Sequence, residues 1–236
     1  MALKSKIEWT ENTWNPITGC TQISEGCENC YALRMASRLQ KMGNVKYSNG
    51  FHLTLQENYL NEPFLWKKPS RIFVNSMSDL LHSDVPIEYI KKVFSVMNAN
   101  SQHIFQVLTK RANRISEIVP LVVWSENIWL GVTVENNKHK NRIDMLRNVP
   151  AKIKFISFEP LLSNIGELDF SYIDWAIVGG ESGWKARPME QDWVISIKEQ
   201  CEQQDVLFYF KQWGGVRKKQ TGRTLLGQTW DAIPAG

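Results

Sequence analysis

Short apolar runs alternate with amphipathic stretches along most of the chain. Runs at 52–56, 71–76, 103–110, 128–135, 152–159, 174–180 and 206–213 are rich in Ile, Val and Phe, and several are continuously apolar. Unbroken apolar runs of strand length suit strands covered on both faces. Between them the spacing predicts helices at 30–42, 87–99, 111–119, 138–148 and 191–204. The first carries Leu33, Met35, Ala36 and Leu39; the second starts after Pro86 and sets Ile90, Val93, Phe94 and Met97 on one stripe. Alternation at this spacing predicts a parallel sheet, because parallel neighbours need long crossover connections. With a first strand inside 7–17 the count reaches seven or eight. The expected fold is an α/β single-domain β/α (TIM-like) barrel, complete or partial, and the alternative is an open doubly wound sheet. No linker, repeat or compositional break divides the chain, so one domain is expected over 1–236, with a basic extension from about 214.

In such barrels chemistry gathers where strands end, and these ends are polar. They include Gln56-Glu57-Asn58, Asn75-Ser76-Met77-Ser78-Asp79, Thr109-Lys110-Arg111, Thr133-Val134-Glu135-Asn136, Ser157-Phe158-Glu159, Gly179-Gly180-Glu181-Ser182 and Lys211-Gln212-Trp213. Lys110 reads equally as a solvated helix-start lysine or as a site residue. Asp79 and Glu159 either bind polar groups of a ligand or pair with Lys110 and Arg111 to hold the mouth together. Gly179-Gly180 suits a turn or a close backbone approach to a ligand, with Glu181 holding an amine or a ribose. His52, His82, His103 and His139 show no metal-ligand spacing and read as structural or solvated.

The densest chemistry is a C-x6-C-x2-C cluster, Cys20, Cys27 and Cys30, with one further cysteine at Cys201. Clustered thiolates favour zinc or iron–sulfur, and three protein ligands leave one metal position open for a reacting group. Four cysteines in this arrangement do not make a disulfide framework. The first residues do not read as a signal peptide and no apolar run spans a bilayer, so a reducing cytoplasm and no membrane are expected. A net charge of +4 permits a polyanionic partner without requiring one. Most of the ten tryptophans are expected in the core, with one or two free to stack on a planar base near the mouth.

Three stretches, Trp14-Asn15-Pro16-Ile17-Thr18-Gly19-Cys20, Gly26-Cys27-Glu28-Asn29-Cys30-Tyr31-Ala32 and Phe73-Val74-Asn75-Ser76-Met77-Ser78-Asp79, closely resemble a phage- and prophage-associated three-cysteine-motif family of unsettled function. Leu108-Thr109-Lys110-Arg111, Gly131–Asn136 and Gly179–Gly183 extend the likeness over most of the chain. That family resembles the radical S-adenosylmethionine superfamily, nearest its spore photoproduct lyase-like branch. The resemblance implies a [4Fe–4S] cluster on Cys20, Cys27 and Cys30. S-adenosylmethionine would bind its open iron, and an electron donor would release a 5′-deoxyadenosyl radical. Ser78-Asp79 resembles the branch's Thr-Asp, and Thr109-Lys110 its Thr-Lys. The superfamily usually has C-x3-C where this chain has C-x6-C, and an aromatic residue where Asn29 stands. On this reading Lys110 and Glu159 are candidate catalytic residues, and Ser78, Asp79, Thr109, Glu135, Gly179, Gly180 and Glu181 candidate cofactor contacts. The substrate implied is a nucleobase or nucleic acid. The alternative is a phage nucleic-acid-binding or adaptor protein with a structural zinc on the three cysteines, completed by Cys201, His52 or His82. The basic run 211–219 would then contact phosphate, unless it is a solvated arm.

Overall fold

The computed structural model describes residues 5 and 7–235. In chain order its elements are β1 (Asn12–Trp14), β2 (Ile17–Thr18), α1 (Tyr31–Lys41), β3 (Thr54–Leu55), β4 (Arg71–Val74), α2 (Ile87–Ala99), β5 (Ile104–Thr109), α3 (Ile115–Ile118), β6 (Ile128–Thr133), α4 (Asn141–Arg147), β7 (Lys154–Phe158), β8 (Trp175–Gly179), α5 (Gln191–Gln203), β9 (Leu207–Gln212) and α6 (Lys218–Thr221). Seven strands form one sheet in the order β1-β4-β5-β6-β7-β8-β9, and every pair in it is parallel.

Strand order follows chain order without reversal, so each crossover winds the same way and the sheet curls. A doubly wound sheet would reverse direction at a switch point, and none occurs here. The result is a curled half-barrel, open between β1 and β9. The run at 52–56 is not one of its staves. Only Thr54–Leu55 is extended, and it pairs antiparallel with Ile17–Thr18 outside the main sheet. Gly50 adopts a positive φ just before it, and the Gln56 N–H bonds back to the Pro16 carbonyl.

Two buried clusters identify the two faces. Ile72, Val74, Phe105, Val107, Leu130, Val132, Ile156 and Val178 join Ile90, Phe94 and Met97 of α2 and Val194 and Ile197 of α5. This is the convex, helix-covered face. Phe73, Trp129, Phe155, Trp175, Ile177 and Tyr209 form the other cluster, closed below by Trp9. They fill the concave face with aromatic rings, several meeting edge to face, as Trp175 does with Trp129 and Tyr209. Helix α1 departs from its expected stripe: Ala32 and Ala36 are buried, while Leu33 and Met35 lie exposed.

The segment after β9 is not a solvated arm. The Phe210 N–H bonds to the Trp230 carbonyl, Tyr209 bridges Asp231, and Leu225 is buried. The chain thus folds back along the β9 edge. Lys211 is itself buried, and the Lys218 and Lys219 side chains lie outside the described residues. Among the described residues no helix is long and apolar enough to cross a membrane.

Candidate metal and cofactor site

Side chains alternate between the faces of a strand. With Leu108, Trp129, Phe155, Ile177 and Tyr209 facing inward, the same alternation brings Lys110, Glu135, Glu159, Gly179 and Lys211 to the concave side at the C-terminal rim. Two ion pairs result. Lys211 Nζ lies 2.6 Å from Glu159 Oε1, and Lys110 Nζ lies 3.9 Å from Glu135 Oε1. The expected alternative of a Glu159 pair with Lys110 or Arg111 is replaced by a pair with Lys211.

The cysteine segment crosses this rim and is tied to the loops that follow several strands. Gly19, at φ +78, donates its N–H to the Met77 carbonyl after β4. Thr21 accepts bonds after β5 from Arg111, whose Nη2 reaches the Thr21 carbonyl at 2.9 Å and its Oγ1 at 3.0 Å. Arg111 Nη1 lies 3.4 Å from Cys20 Sγ. After β6, the fully buried Glu135 accepts from Ser24 Oγ at 2.6 Å and from Arg142 Nη1 at 2.7 Å. Gly26 sits directly on that carboxylate; a Cβ there would stand 2.5 Å from Glu135 Cγ. Glu25 meets Lys138 Nζ and His139 Nε2 in the same loop, and these bonds, Lys138 foremost, hold its carboxyl well below the usual range.

After β8 a second arginine closes the ring of ties. Arg187 binds both oxygens of Glu181, Nη2 to Oε1 at 2.7 Å and Nε to Oε2 at 3.0 Å. It also donates to the Glu25 carbonyl at 2.7 Å and to Glu28 at 3.0 Å. Asn29 Nδ2 reaches Glu181 Oε2 at 3.0 Å. Burial raises the Glu181 carboxyl, but the Arg187 and Asn29 bonds outweigh it and leave the group below its ordinary value.

Asp79 is the anchor beneath Arg111. Its carboxylate accepts from Thr109 Oγ1 at 2.8 Å, Leu81 N at 3.0 Å, Lys110 N at 3.0 Å and Arg111 Nη1 at 3.2 Å. Thr109 in turn accepts the Arg111 N–H, and Ser78 Oγ donates to the Ile17 carbonyl at 2.8 Å. Ser78, Asp79, Thr109, Glu135 and Glu181 therefore gather at the rim, each bonded to a protein partner. Gly180 explains itself by packing: a Cβ there would stand 2.0 Å from the Trp213 carbonyl, so the close backbone approach is to the neighbouring strand's end. Gly179 leaves room beside Glu159, whose carboxyl carbon would lie 3.4 Å from an added Cβ.

All three clustered cysteines are free thiols of intermediate burial. Cys27 and Cys30 lie around a tight turn, with the Cys30 N–H on the Cys27 carbonyl, and α1 starts just beyond. Burial raises the Cys20 thiol, with Arg111 pulling against it. Among the described residues, no group of three or more His, Cys, Asp or Glu stands close enough to hold a single metal ion. Three partly exposed thiols on one short segment, Cys20 among them beside the Arg111 guanidinium, fit an iron–sulfur cluster by donor chemistry, because thiolates are its usual ligands. Cys201 is elsewhere, buried on α5 in the convex-face core, where burial pushes its thiol up to about 12. His82 lies beside the segment, but its Nδ1 accepts the Asp84 N–H and its Nε2 meets Thr21 Oγ1 at 2.8 Å. His52 is exposed.

Sequence reasoning missed Arg187, Ser24 and Arg142 as site residues, and placed Lys211 among the strand ends at the mouth without its partner. Arg187 sits in a loop with no periodicity to mark it. The pairing of Lys211 with Glu159 became legible only once the β9 register was known.

A family model described as Protein of unknown function (DUF5131) matches residues 4–234. No curated protein matches the chain. Among solved structures, the chain is similar to spore photoproduct lyase complexed with dinucleoside spore photoproduct (TM-score 0.53, 10% identity). It is also similar to a tyrosine-to-phenylalanine mutant of spore photoproduct lyase (TM-score 0.52, 11% identity). Each match covers 85% of this chain and 63% of the lyase. The likeness is one of fold.

Proposed function

We propose, for a chain that belongs to the DUF5131 family of proteins of unknown function, that it is a radical S-adenosylmethionine enzyme acting on a nucleobase or nucleic acid. The observation that carries this reading is the cysteine segment itself: three free thiols lie over the C-terminal rim of a curled parallel half-barrel, tied to the loops after four of its strands. Cys20, Cys27 and Cys30 would hold a [4Fe–4S] cluster, leaving S-adenosylmethionine to complete it. When bound and reduced by one electron, that pair supplies a carbon radical able to abstract hydrogen.

The chain's own residues do the rest. Arg111 and Arg187 fix the segment from its two ends. The aromatic concave floor of Trp129, Phe155 and Trp175 is buried and excludes water from beneath the mouth, which limits side reactions of a reactive species. Lys110 and Glu159 face the mouth, and Lys211 holds the Glu159 carboxylate in place. In this reading Ser78, Asp79, Thr109, Glu135 and Glu181 shape the cofactor's surroundings, while Gly179 and Gly180 keep the β8 rim open and closely packed.

The nucleic-acid assignment draws support from the rim. Tyr31 and Trp184 are exposed, and Arg34 binds the Ser182 and Trp184 carbonyls. Aromatic faces interleaved with cations suit bases and phosphates. The reading also requires a one-electron donor and a reducing compartment, the cytoplasm; the phage or prophage setting implied by the sequence resemblance is compatible with both.

Iron and sulfide content after anaerobic reconstitution tests the metal assignment. About four irons per chain are expected in the wild type. Cys20→Ala, Cys27→Ala and Cys30→Ala should each lose them, and Cys201→Ala should keep them. One tight zinc per chain, or an equal loss in Cys201→Ala, would replace this reading with the structural-metal alternative.

A further inference from the structure

We propose that Arg111 is a positioning residue that binds the Cys20 sulfur and raises the reduction potential of the cluster held there. This deepens the proposed function and rests on it. Arg111 is nearly buried, and its planar fork is held on both sides. Nη1 lies between Cys20 Sγ at 3.4 Å and Asp79 Oδ2 at 3.2 Å, while Nη2 is spent on the Thr21 carbonyl and hydroxyl. The Thr21 hydroxyl also meets His82 Nε2, and the Asp79 carboxylate is fixed by Thr109, Leu81 and Lys110. The guanidinium therefore cannot swing away without breaking several bonds at once.

The three cysteines are not equivalent in this respect. The polar side-chain neighbour of Cys27 Sγ is the neutral Ser24 hydroxyl, at 3.7 Å. Reduction adds negative charge that spreads onto the ligand sulfurs, so a donor aimed at one sulfur stabilises the reduced form more than the oxidised one. Partial burial strengthens that preference. The Asp79 carboxylate offsets much of the guanidinium charge, leaving the directed N–H as the main influence. Arg187 supplies an internal comparison, because it ties the same segment through Glu25, Glu28 and Glu181 and reaches backbone and carboxylates rather than a cysteine sulfur.

The test is a redox titration, followed by electron paramagnetic resonance, of anaerobically reconstituted wild type, Arg111→Gln, Arg111→Lys and Arg187→Gln, with iron and sulfide counted in each. Arg111→Gln is expected to lower the midpoint by an amount equivalent to a tenfold weaker preference for the reduced form, about 59 mV for one electron. Arg111→Lys, which keeps a cationic N–H donor but not the fork that aims it, should shift it less. Arg187→Gln should hold less iron at an unchanged midpoint. Equal midpoints in Arg111→Gln and wild type would overturn the proposal, as would an equal shift in Arg187→Gln. If neither Arg111 variant retains iron, the arginine serves loop assembly alone and the proposal falls. A wild type that takes up no iron–sulfur cluster would overturn the proposed function as well, whereas an intact cluster with an unmoved potential would overturn this inference only.

Discussion

Asp79 and Arg111 illustrate how much of this site depends on one buried pair. The two side chains are 8% and 9% exposed, 3.2 Å apart, and the carboxylate accepts three further bonds. Removing one member of such a pair strands the other charge in a poorly solvated place. Asp79→Ala should therefore destabilise the fold by about 3–5 kcal/mol in urea unfolding, and pairing it with Arg111→Met should recover part of that loss. If the single variant unfolds at the wild-type midpoint, the pair is not the anchor described here. The sequence made the pairing of Asp79 with the residues after β5 conceivable, because both motifs end neighbouring strands. It could not choose between that and a ligand contact, since a carboxylate at a strand end looks the same whether its partner is an arginine or a cofactor. Lys211 shows a different case: the sequence placed it both at a polar strand end and in a basic run, and strand alternation turns it inward onto Glu159.

At the level of elements, the strands and helices were largely legible. Six of the seven sheet strands fall within expected apolar runs, and Ile87–Ala99 forms the expected helix, because burial on both faces leaves an unbroken apolar signal. The stretch at 52–56 carried a similar but weaker signal and became a short antiparallel pair instead. The cysteine segment was legible as a metal motif but not as a clamped loop. Several of its ties run to residues more than a hundred positions away, such as Ser24 to Glu135 and Asn29 to Glu181, and local pattern holds no trace of them. The clamp has a pH signature. The Glu181 carboxyl is held below its ordinary 4.5 because the Arg187 bonds outweigh the rise from burial. The folded state thus binds that proton less readily than the unfolded chain does. The stabilisation is complete above pH about 4.5 and is lost as pH falls through the folded value. Urea midpoints taken from pH about 6 down to about 3 should fall, and Arg187→Gln should flatten that fall. An unchanged slope in the variant would mean that the clamp does not hold the segment.

For the whole molecule, the half-barrel divides its labour between faces. The convex side is an ordinary aliphatic core under helices, the concave floor is aromatic and closed, and four buried or half-buried ion pairs stand at the C-terminal rim. The structural match covers 85% of this chain and 63% of the lyase, so it speaks for a common fold, and the reaction is proposed from this chain's own residues. The most direct test is to reconstitute the protein anaerobically with iron and sulfide, add dithionite and S-adenosylmethionine, and measure 5′-deoxyadenosine by mass spectrometry. The account predicts that the nucleoside forms with the wild type and not with Cys20→Ala, Cys27→Ala or Cys30→Ala. A reconstituted protein that yields none, or a yield that persists without those cysteines, would contradict it.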